Sequence, residues 1–257
     1  MAVSGSAQRD LRRESLGNLY RLAAAHRGGG YLFTTRVSYP LGSWFAAIAI
    51  RLGIHPTVVT LANLGLAVVA STVVIAQADQ LHAGWVPGLV ALLLWQLAYI
   101  LDCADGQVAR ATGKTSSFGA RVDVLADFLV YALVISALMT VLVQRVDAPA
   151  ALVAFGSTLW PLSILVYLLV RSDGNKGHSF TQREGVIALI KLVGDNGFIL
   201  LVLGLWLFVH PQSAVIPVAA ICAVNAFFLI ASIGREAYLS MHVGSTLDHP
   251  HTEQESR

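Results

Sequence analysis

The stretch LDCADGQVARATGKTSSFGARVDVLADF, residues 101–128, places four aspartates, Asp102, Asp105, Asp123 and Asp127, inside segments that otherwise look like membrane helices. A charged side chain at the centre of a membrane helix costs about 2.5–3.5 kcal/mol on insertion scales, and less near an interface. One such residue is explained by snorkelling or by pairing with an arginine. Four at patterned spacing require a function.

The rest of the chain has the composition of a membrane protein. Of its 257 residues, 56% are hydrophobic and 12% are charged, whereas a soluble domain carries about 25% charged residues. Apolar windows of ~20 residues, the length that spans a bilayer core as a helix, recur with short loops between them. The sequence therefore predicts an all-α, polytopic membrane bundle built as one unit.

The apolar windows predict six transmembrane helices, and these are expected at about 56–77, 82–109, 118–144, 149–171, 185–209 and 213–238. The segment 38–55 is apolar but short, so we interpret it as an interfacial helix, with a seventh span as the alternative. The amphipathic stretch LGNLYRLAAA before it is also interfacial in this interpretation. The predicted organisation has a basic N-terminus with an interfacial helix at 1–55, a catalytic six-helix domain at 56–240 and a polar tail at 241–257.

Lysine and arginine are distributed unequally between the two sides of this layout. In the predicted loops on one side of the membrane, Arg145 is the single lysine or arginine. The other side, with both termini, holds the basic N-terminal segment and Arg110, Lys114, Arg121, Arg171, Lys176, Arg183 and Arg235. The positive-inside rule then predicts a multi-pass protein of the cell membrane with both termini and the aspartates at the cytoplasmic face. A basic face favours anionic lipids, and nucleic acid is not an expected partner.

The spacing of the aspartates indicates a metal site. Asp102 and Asp105 are three residues apart and Asp123 and Asp127 four apart, so each pair shares one helix face. A short loop folds the two helices antiparallel, and four carboxylates brought together repel one another unless cations join them. Two divalent ions balance their charge. Oxygen ligands alone favour Mg²⁺ or Mn²⁺, whereas zinc more often recruits histidine or cysteine.

Small and basic residues between the aspartates fit a substrate that carries phosphate. Gly106 and Ala109 lie on the face of the first pair of aspartates and leave room for a bulky ligand. Arg110 adds a planar donor fork suited to phosphate oxygens, and Lys114 in the loop is placed to contact a pyrophosphate or a ribose. Gly119 trims the face of the second pair. Helix packing is the alternative interpretation of the glycines.

Residues 102–127 match, without a gap, the pattern Asp-x2-Asp-Gly-x2-Ala-Arg-x8-Gly-x3-Asp-x3-Asp. This resembles the signature of the CDP-alcohol phosphotransferase (CDP-alcohol phosphatidyltransferase) family, and the six-span layout is similar as well. The resemblance implies a membrane transferase of phospholipid biosynthesis that cleaves the pyrophosphate of a CDP-linked donor, often CDP-diacylglycerol. The phosphoryl-bearing half passes to the hydroxyl of a small polar alcohol, and CMP is released. The resemblance also implies a homodimer.

The same resemblance assigns roles by position. Asp102, Asp105 and Asp123 are implied as ligands of two metal ions, and Asp127 as both a ligand and the base that deprotonates the acceptor. The implied contacts of the cytidine diphosphate part are Gly106, Arg110 and Ser116. The stretch GIHPTVVTLANL (53–64) resembles the Pro-x3-Thr start of the first span in this family, which adds Thr57, Val58, Val59 and Thr60. Thr57 stands where many members have Asn or Asp.

Two other functions stay open at this stage. A CDP-linked polar head group as the donor reverses the roles of the substrates. A cation transporter also places acids in a membrane, but it predicts acids spread through the depth of the bilayer, whereas these cluster on one side. The sequence does not name the acceptor.

Residues near the fifth span bear on the acceptor. Asp195 is expected to cap or break a helix beside two glycines, with an acceptor contact as the alternative. A pocket for a phosphorylated acceptor and ordinary positive-inside charge are equally open for Arg171, Lys176, Arg183 and Lys191.

Overall fold

The computed structural model describes residues 10–80, 85–145, 148–172 and 195–243, and these ranges are helical with no strand. The helices of ten residues or more within them are α1 (Leu16–Ala25), α2 (Tyr39–Leu52), α3 (Pro56–Ala76), α4 (Val86–Ala111), α5 (Ser117–Arg145), α6 (Ala150–Ser172), α7 (Asn196–Val209) and α8 (Val215–Val243). One π-helical turn, Thr34–Ser38, leads directly into α2.

Within the described ranges, four helical segments are long and apolar enough to cross a membrane, and they are Pro56–Ala76, Val86–Ala111, Ser117–Gln144 and Pro211–Ala231. The predicted all-α membrane bundle is confirmed to that extent. At the other two predicted spans, shorter apolar helices are described over Ala150–Ser163 and Asn196–Val209. Residues 185–194 of the predicted fifth span lie outside the described residues, so the count of six stays a prediction.

The N-terminal helices α1 and α2 pack on each other beside α4. Ser15 caps α1 by accepting a hydrogen bond from the backbone N–H of Asn18, and α1 buries Leu19 and Ala23 against α2. Gly53, in the left-handed conformation with φ 71°, ends α2. With the π-helical turn before it, α2 belongs to one continuous helical segment over residues 32–52. The interfacial position of 38–55 stays a prediction, as does the alternative of a seventh span.

The centre of the bundle is the contact of α3, α4 and α5. Ala67, Ala98 and Val130, one from each helix, form a buried cluster. Deeper in the bundle, the indole N–H of Trp95 donates to Ser71 Oγ at 3.2 Å, and both side chains are fully buried. Small residues at this contact let the backbones approach closely, which is how membrane helices gain packing energy.

Asp195 is buried at the start of α7, and its hydrogen bonds explain its place. Its carboxylate accepts from the backbone N–H groups of Gly197 at 3.1 Å and Phe198 at 3.4 Å. It also accepts from the N–H of Thr34 at 2.8 Å and from that residue's hydroxyl at 2.7 Å. The predicted cap role of Asp195 is confirmed. The same carboxylate also anchors the N-terminal segment, which the sequence did not indicate.

Two glycines lie in the contact between α4 and α7, where a side chain would have no room. A Cβ atom added to Gly88 would lie 2.5 Å from the carbonyl oxygen of Leu207 and from Cα of Phe208. A Cβ atom added to Gly204 would lie 2.6 Å from Cα of Leu92. Because these neighbours are backbone atoms, they cannot rotate away as a side chain would.

We expect Gly204→Val to lower the melting temperature of the purified protein by about 5–10 °C, since overpacking costs about 1–3 kcal/mol. The matched control is Gly65→Val, because a Cβ atom at Gly65 meets nothing within 4 Å. Both variants add the same β-branched side chain to a helix. Their melting temperatures in detergent are compared, with size-exclusion chromatography as the measure of the folded fraction that remains after heating. Equal shifts would contradict a close crossing at Gly204.

Candidate metal centre

The turn between α4 and α5 is fixed at both ends by local hydrogen bonds. Gly113 has φ 65°, and the N–H of Lys114 donates to the carbonyl of Ala109 at 2.9 Å, which is the Schellman arrangement that ends a helix. Ser116 Oγ then accepts from the N–H of Gly119 at 2.9 Å, as the N-cap of α5 does. Two separate caps therefore hold the turn between α4 and α5, and both of these helices pack against α3.

The aspartates of α4 and α5 come together at this end of the bundle. Asp102, Asp105 and Asp123 each offer a carboxylate oxygen, and the three oxygens lie within 4.8 Å of one another. The carboxyl group of Asp127 lies within hydrogen-bonding reach of that of Asp102. Asp105 is 4% exposed, and the other three are half-buried. The structure thus brings together all four predicted acids.

This donor set fits a divalent cation of the magnesium type. Two oxygens on opposite sides of an ion with 2.0–2.1 Å bonds are about 4.2 Å apart, so small side-chain rotations would let all three oxygens reach one ion. Within the described ranges, the group of three or more potential metal ligands consists of aspartates alone. Oxygen-only ligation suits Mg²⁺ or Mn²⁺. The crowded negative charge is also stabilised by a cation.

The start of α3 supplies one side chain to the cluster. The hydroxyl of Thr60 donates to Asp105 Oδ2 at 2.5 Å, in a buried position. Val59 instead packs into the apolar contact between α2 and α4, and Val58 is exposed. Thr57 is half-exposed near the first turn of the helix. Of these four residues, Thr60 is the one seen in contact with a carboxylate, and the nucleotide contacts of the other three stay predictions.

Arg110 joins the end of α4 to the end of α1. Its Nε donates to the carbonyl oxygen of His26 at 2.8 Å, and its guanidinium lies over Gly106. A Cβ atom added to that glycine would be 3.0 Å from Arg110 Nη1. Glycine at this position therefore leaves room for the guanidinium against α4, and its predicted contact with phosphate stays a prediction.

The basic residues considered for a phosphorylated acceptor are not placed. Lys176, Arg183 and Lys191 lie outside the described residues, and the side chain of Arg171 is not described. Their role stays a prediction.

We expect Thr60→Val to reduce the rate of the reaction proposed below about 10-fold, because a partner that orients a metal ligand is typically worth 10–100-fold. Valine keeps the size of threonine and removes the hydrogen bond to Asp105. The control is Thr112→Val, whose buried hydroxyl bonds only within its own helix in the contacts described, to the carbonyl of Val108 at 2.7 Å. Equal rates in the two variants would contradict an orienting role.

Comparison with known proteins supports the family resemblance of the sequence around this site. The sequence model of the CDP-alcohol phosphatidyltransferase family matches residues 53–229, more than half of the chain. A phosphatidylinositol phosphate synthase from Corynebacterium glutamicum is 29% identical over 155 residues, which are 58% of this chain and 66% of that relative. The matched part is thus slightly less than two thirds of the relative's length. The chain belongs to the CDP-alcohol phosphatidyltransferase family.

Proposed function

We propose that this protein transfers a phosphatidyl group from CDP-diacylglycerol to the hydroxyl of a small polar alcohol and releases CMP, in phospholipid biosynthesis. The observation that carries the proposal is the cluster of carboxylate oxygens from Asp102, Asp105 and Asp123, all within 4.8 Å, inside the region that matches the family. The similar protein from C. glutamicum, named as a phosphatidylinositol phosphate synthase, supports phosphatidyl transfer.

In the proposed reaction the acceptor hydroxyl oxygen attacks the phosphorus atom that carries diacylglycerol. The bond between that phosphorus and the bridging oxygen of the pyrophosphate breaks, and CMP leaves with the bridging oxygen. The hydroxyl proton passes to the carboxylate of Asp127. This base is half-buried beside Asp102, so the proton is received at the edge of the acidic cluster.

The other proposed roles are metal binding and substrate binding. Asp102, Asp105 and Asp123, together with Asp127, would hold two Mg²⁺ or Mn²⁺ ions, which when bound neutralise the phosphates. The other groups proposed to hold the cytidine diphosphate part are Thr57, Val58, Val59, Thr60, Gly106, Arg110 and Ser116, with Ala109, Lys114 and Gly119 beside them. Thr60 orients Asp105 through its hydrogen bond, and the fork of Arg110 binds phosphate oxygens.

The unequal distribution of basic residues supports an active site and both termini on the cytoplasmic side of the cell membrane. The homodimer implied by the family resemblance belongs to the same proposal. Transport of cations is the less favoured function, because the acids gather where α4 ends and α5 begins and do not follow the length of a span.

A CMP-release assay with purified protein in lipid micelles tests the proposal. CDP-diacylglycerol and Mg²⁺ or Mn²⁺ are offered with glycerol 3-phosphate, inositol, inositol 1-phosphate or serine. We expect metal-dependent release with one acceptor. Release only with CDP-linked head groups and diacylglycerol would reverse the roles of donor and acceptor. No release with either donor, together with cation flux into liposomes, would replace the transferase by a transporter.

A further inference from the structure

Asn63 is a buried amide in the first predicted span, one turn deeper than Thr60. Its side chain is 1% exposed, and its Oδ1 has no hydrogen-bond partner among the described residues. A buried acceptor that lacks a donor costs about 1–3 kcal/mol. Such atoms in native proteins mark a water, an ion or a functional contact.

Contacts one turn to either side fix the level of this amide in the bundle. On the cytoplasmic side, Thr60 of α3 is bonded to Asp105 of α4. On the deeper side, Ala67 packs against Ala98. Because α3 and α4 run antiparallel, the α4 residue level with the amide is Asp102.

The third helix of this contact brings a second acid to the same level. Val130 of α5 belongs to the deeper apolar cluster, and Asp127 stands one turn nearer the cytoplasm on the same helix. Its carboxyl group lies within hydrogen-bonding reach of Asp102. At one level, therefore, the three helices contribute Asn63, Asp102 and Asp127.

The chemistry of these neighbours decides what can satisfy the amide oxygen. An ionised carboxylate accepts hydrogen bonds and donates none, so Asp102 and Asp127 cannot supply the missing donor in the charged state. A water molecule bound to a divalent cation can supply it, because both of its O–H groups point away from the ion. Mg²⁺ keeps several such waters when it binds proteins.

We propose that Asn63 is a positioning residue of the metal centre, whose Oδ1 accepts a hydrogen bond from a water molecule on the ion held by Asp102. This inference rests on the proposed function, since it needs a divalent ion in the acidic cluster. It assigns to α3 a direct part in holding the ion, besides the orienting contact of Thr60. The amide thereby fixes the water and, through it, the depth of the ion in the bundle.

Mn²⁺ binding to metal-free protein in micelles, followed by electron paramagnetic resonance, tests this inference without any turnover. Asn63→Leu removes the acceptor at nearly constant size, and we expect it to weaken Mn²⁺ binding 10–100-fold. Asn63→Asp keeps an acceptor, and we expect it to bind Mn²⁺ at least as tightly as the native protein. The control is Ser71→Ala, which removes another buried polar group of α3, deeper than the acids and bonded to Trp95. Its Mn²⁺ affinity is expected to stay native.

Activity measured against Mn²⁺ concentration separates positioning from general damage. Asn63→Leu is expected to need 10–100-fold more Mn²⁺ for half-maximal rate and to regain a near-native kcat at saturation. Native Mn²⁺ affinity in Asn63→Leu would overturn the inference. An equal loss in Asn63→Leu and Asn63→Asp would overturn it too, because the amide N–H would then be the group that matters. No Mn²⁺ binding by the native protein would overturn the metal centre itself.

Discussion

Asp127→Asn is expected to lower kcat for CMP release by about 10²–10⁴-fold, the range that a positioned general base contributes. The amide keeps the size of the carboxylate and one acceptor oxygen, but it cannot take the proton of the acceptor hydroxyl. KM for CDP-diacylglycerol is expected to change much less than kcat. Steady-state kinetics at saturating Mn²⁺ measures both, so that a weaker metal site does not imitate the loss of the base.

The control for this prediction is Asp79→Asn. Asp79 is exposed in a short helical turn, Ala78–Gln80, at the opposite end of α3 from the aspartate cluster. The Asp79→Asn substitution makes the same chemical change away from the cluster, and the rate of CMP release is expected to stay native. An Asp127→Asn variant that retains more than about a tenth of the native kcat would contradict proton transfer to this residue.

Asp105→Asn is expected to abolish high-affinity Mn²⁺ binding and to lower the rate of CMP release about 10³-fold or more, since the ions supply several kcal/mol of charge stabilisation. The change is nearly isosteric, and an asparagine oxygen can still accept from the hydroxyl of Thr60. The thermal stability of the metal-free variant is expected to increase, although its activity falls. In metal-free protein the variant avoids the cost of burying a fourth carboxyl group beside three others, and we expect its melting temperature to rise by about 2–4 °C, equivalent to about 1 kcal/mol.

The sign of the stability change distinguishes this account from simple damage. Without metal, Asp105→Asn is expected to be more stable than the native protein. With saturating Mn²⁺ the order reverses, because the ion stabilises only the protein that binds it. Thermal unfolding with and without Mn²⁺ measures both orders. A variant that is less stable under both conditions would indicate a structural role for Asp105 rather than a metal ligand.

The membrane helices could be predicted because their physics is local. A chain in lipid must satisfy its backbone hydrogen bonds internally, so the length and composition of an apolar run are nearly sufficient. The four long apolar helices are confirmed for this reason. Contacts between residues far apart in the sequence cannot be predicted from local composition in this way. The bond from Arg110 to the carbonyl of His26 joins residues 84 apart, and that from Thr34 to Asp195 joins residues 161 apart.

In the candidate site, too, the local features could be predicted from the sequence and the contacts between helices could not. Spacings of three and four on two antiparallel helices were enough to predict that the aspartates meet. Thr60 entered through the family resemblance as a nucleotide contact, whereas its hydroxyl is bonded to Asp105. Asn63 was not singled out from the sequence, where it is one polar residue in an apolar span. Its level beside Asp102 follows from the packing of Ala67 on Ala98, and that packing depends on three helices at once.

The central claim is that the aspartate cluster of α4 and α5 catalyses metal-dependent transfer from a CDP-linked lipid. The most direct test quantifies CMP and the new phospholipid in one reaction with CDP-diacylglycerol, Mn²⁺ and the preferred acceptor. We expect equal molar amounts of the two products, and neither product when a chelator removes the metal. CMP release that exceeds phospholipid formation would indicate hydrolysis, and product formation that persists under chelation would contradict the metal centre.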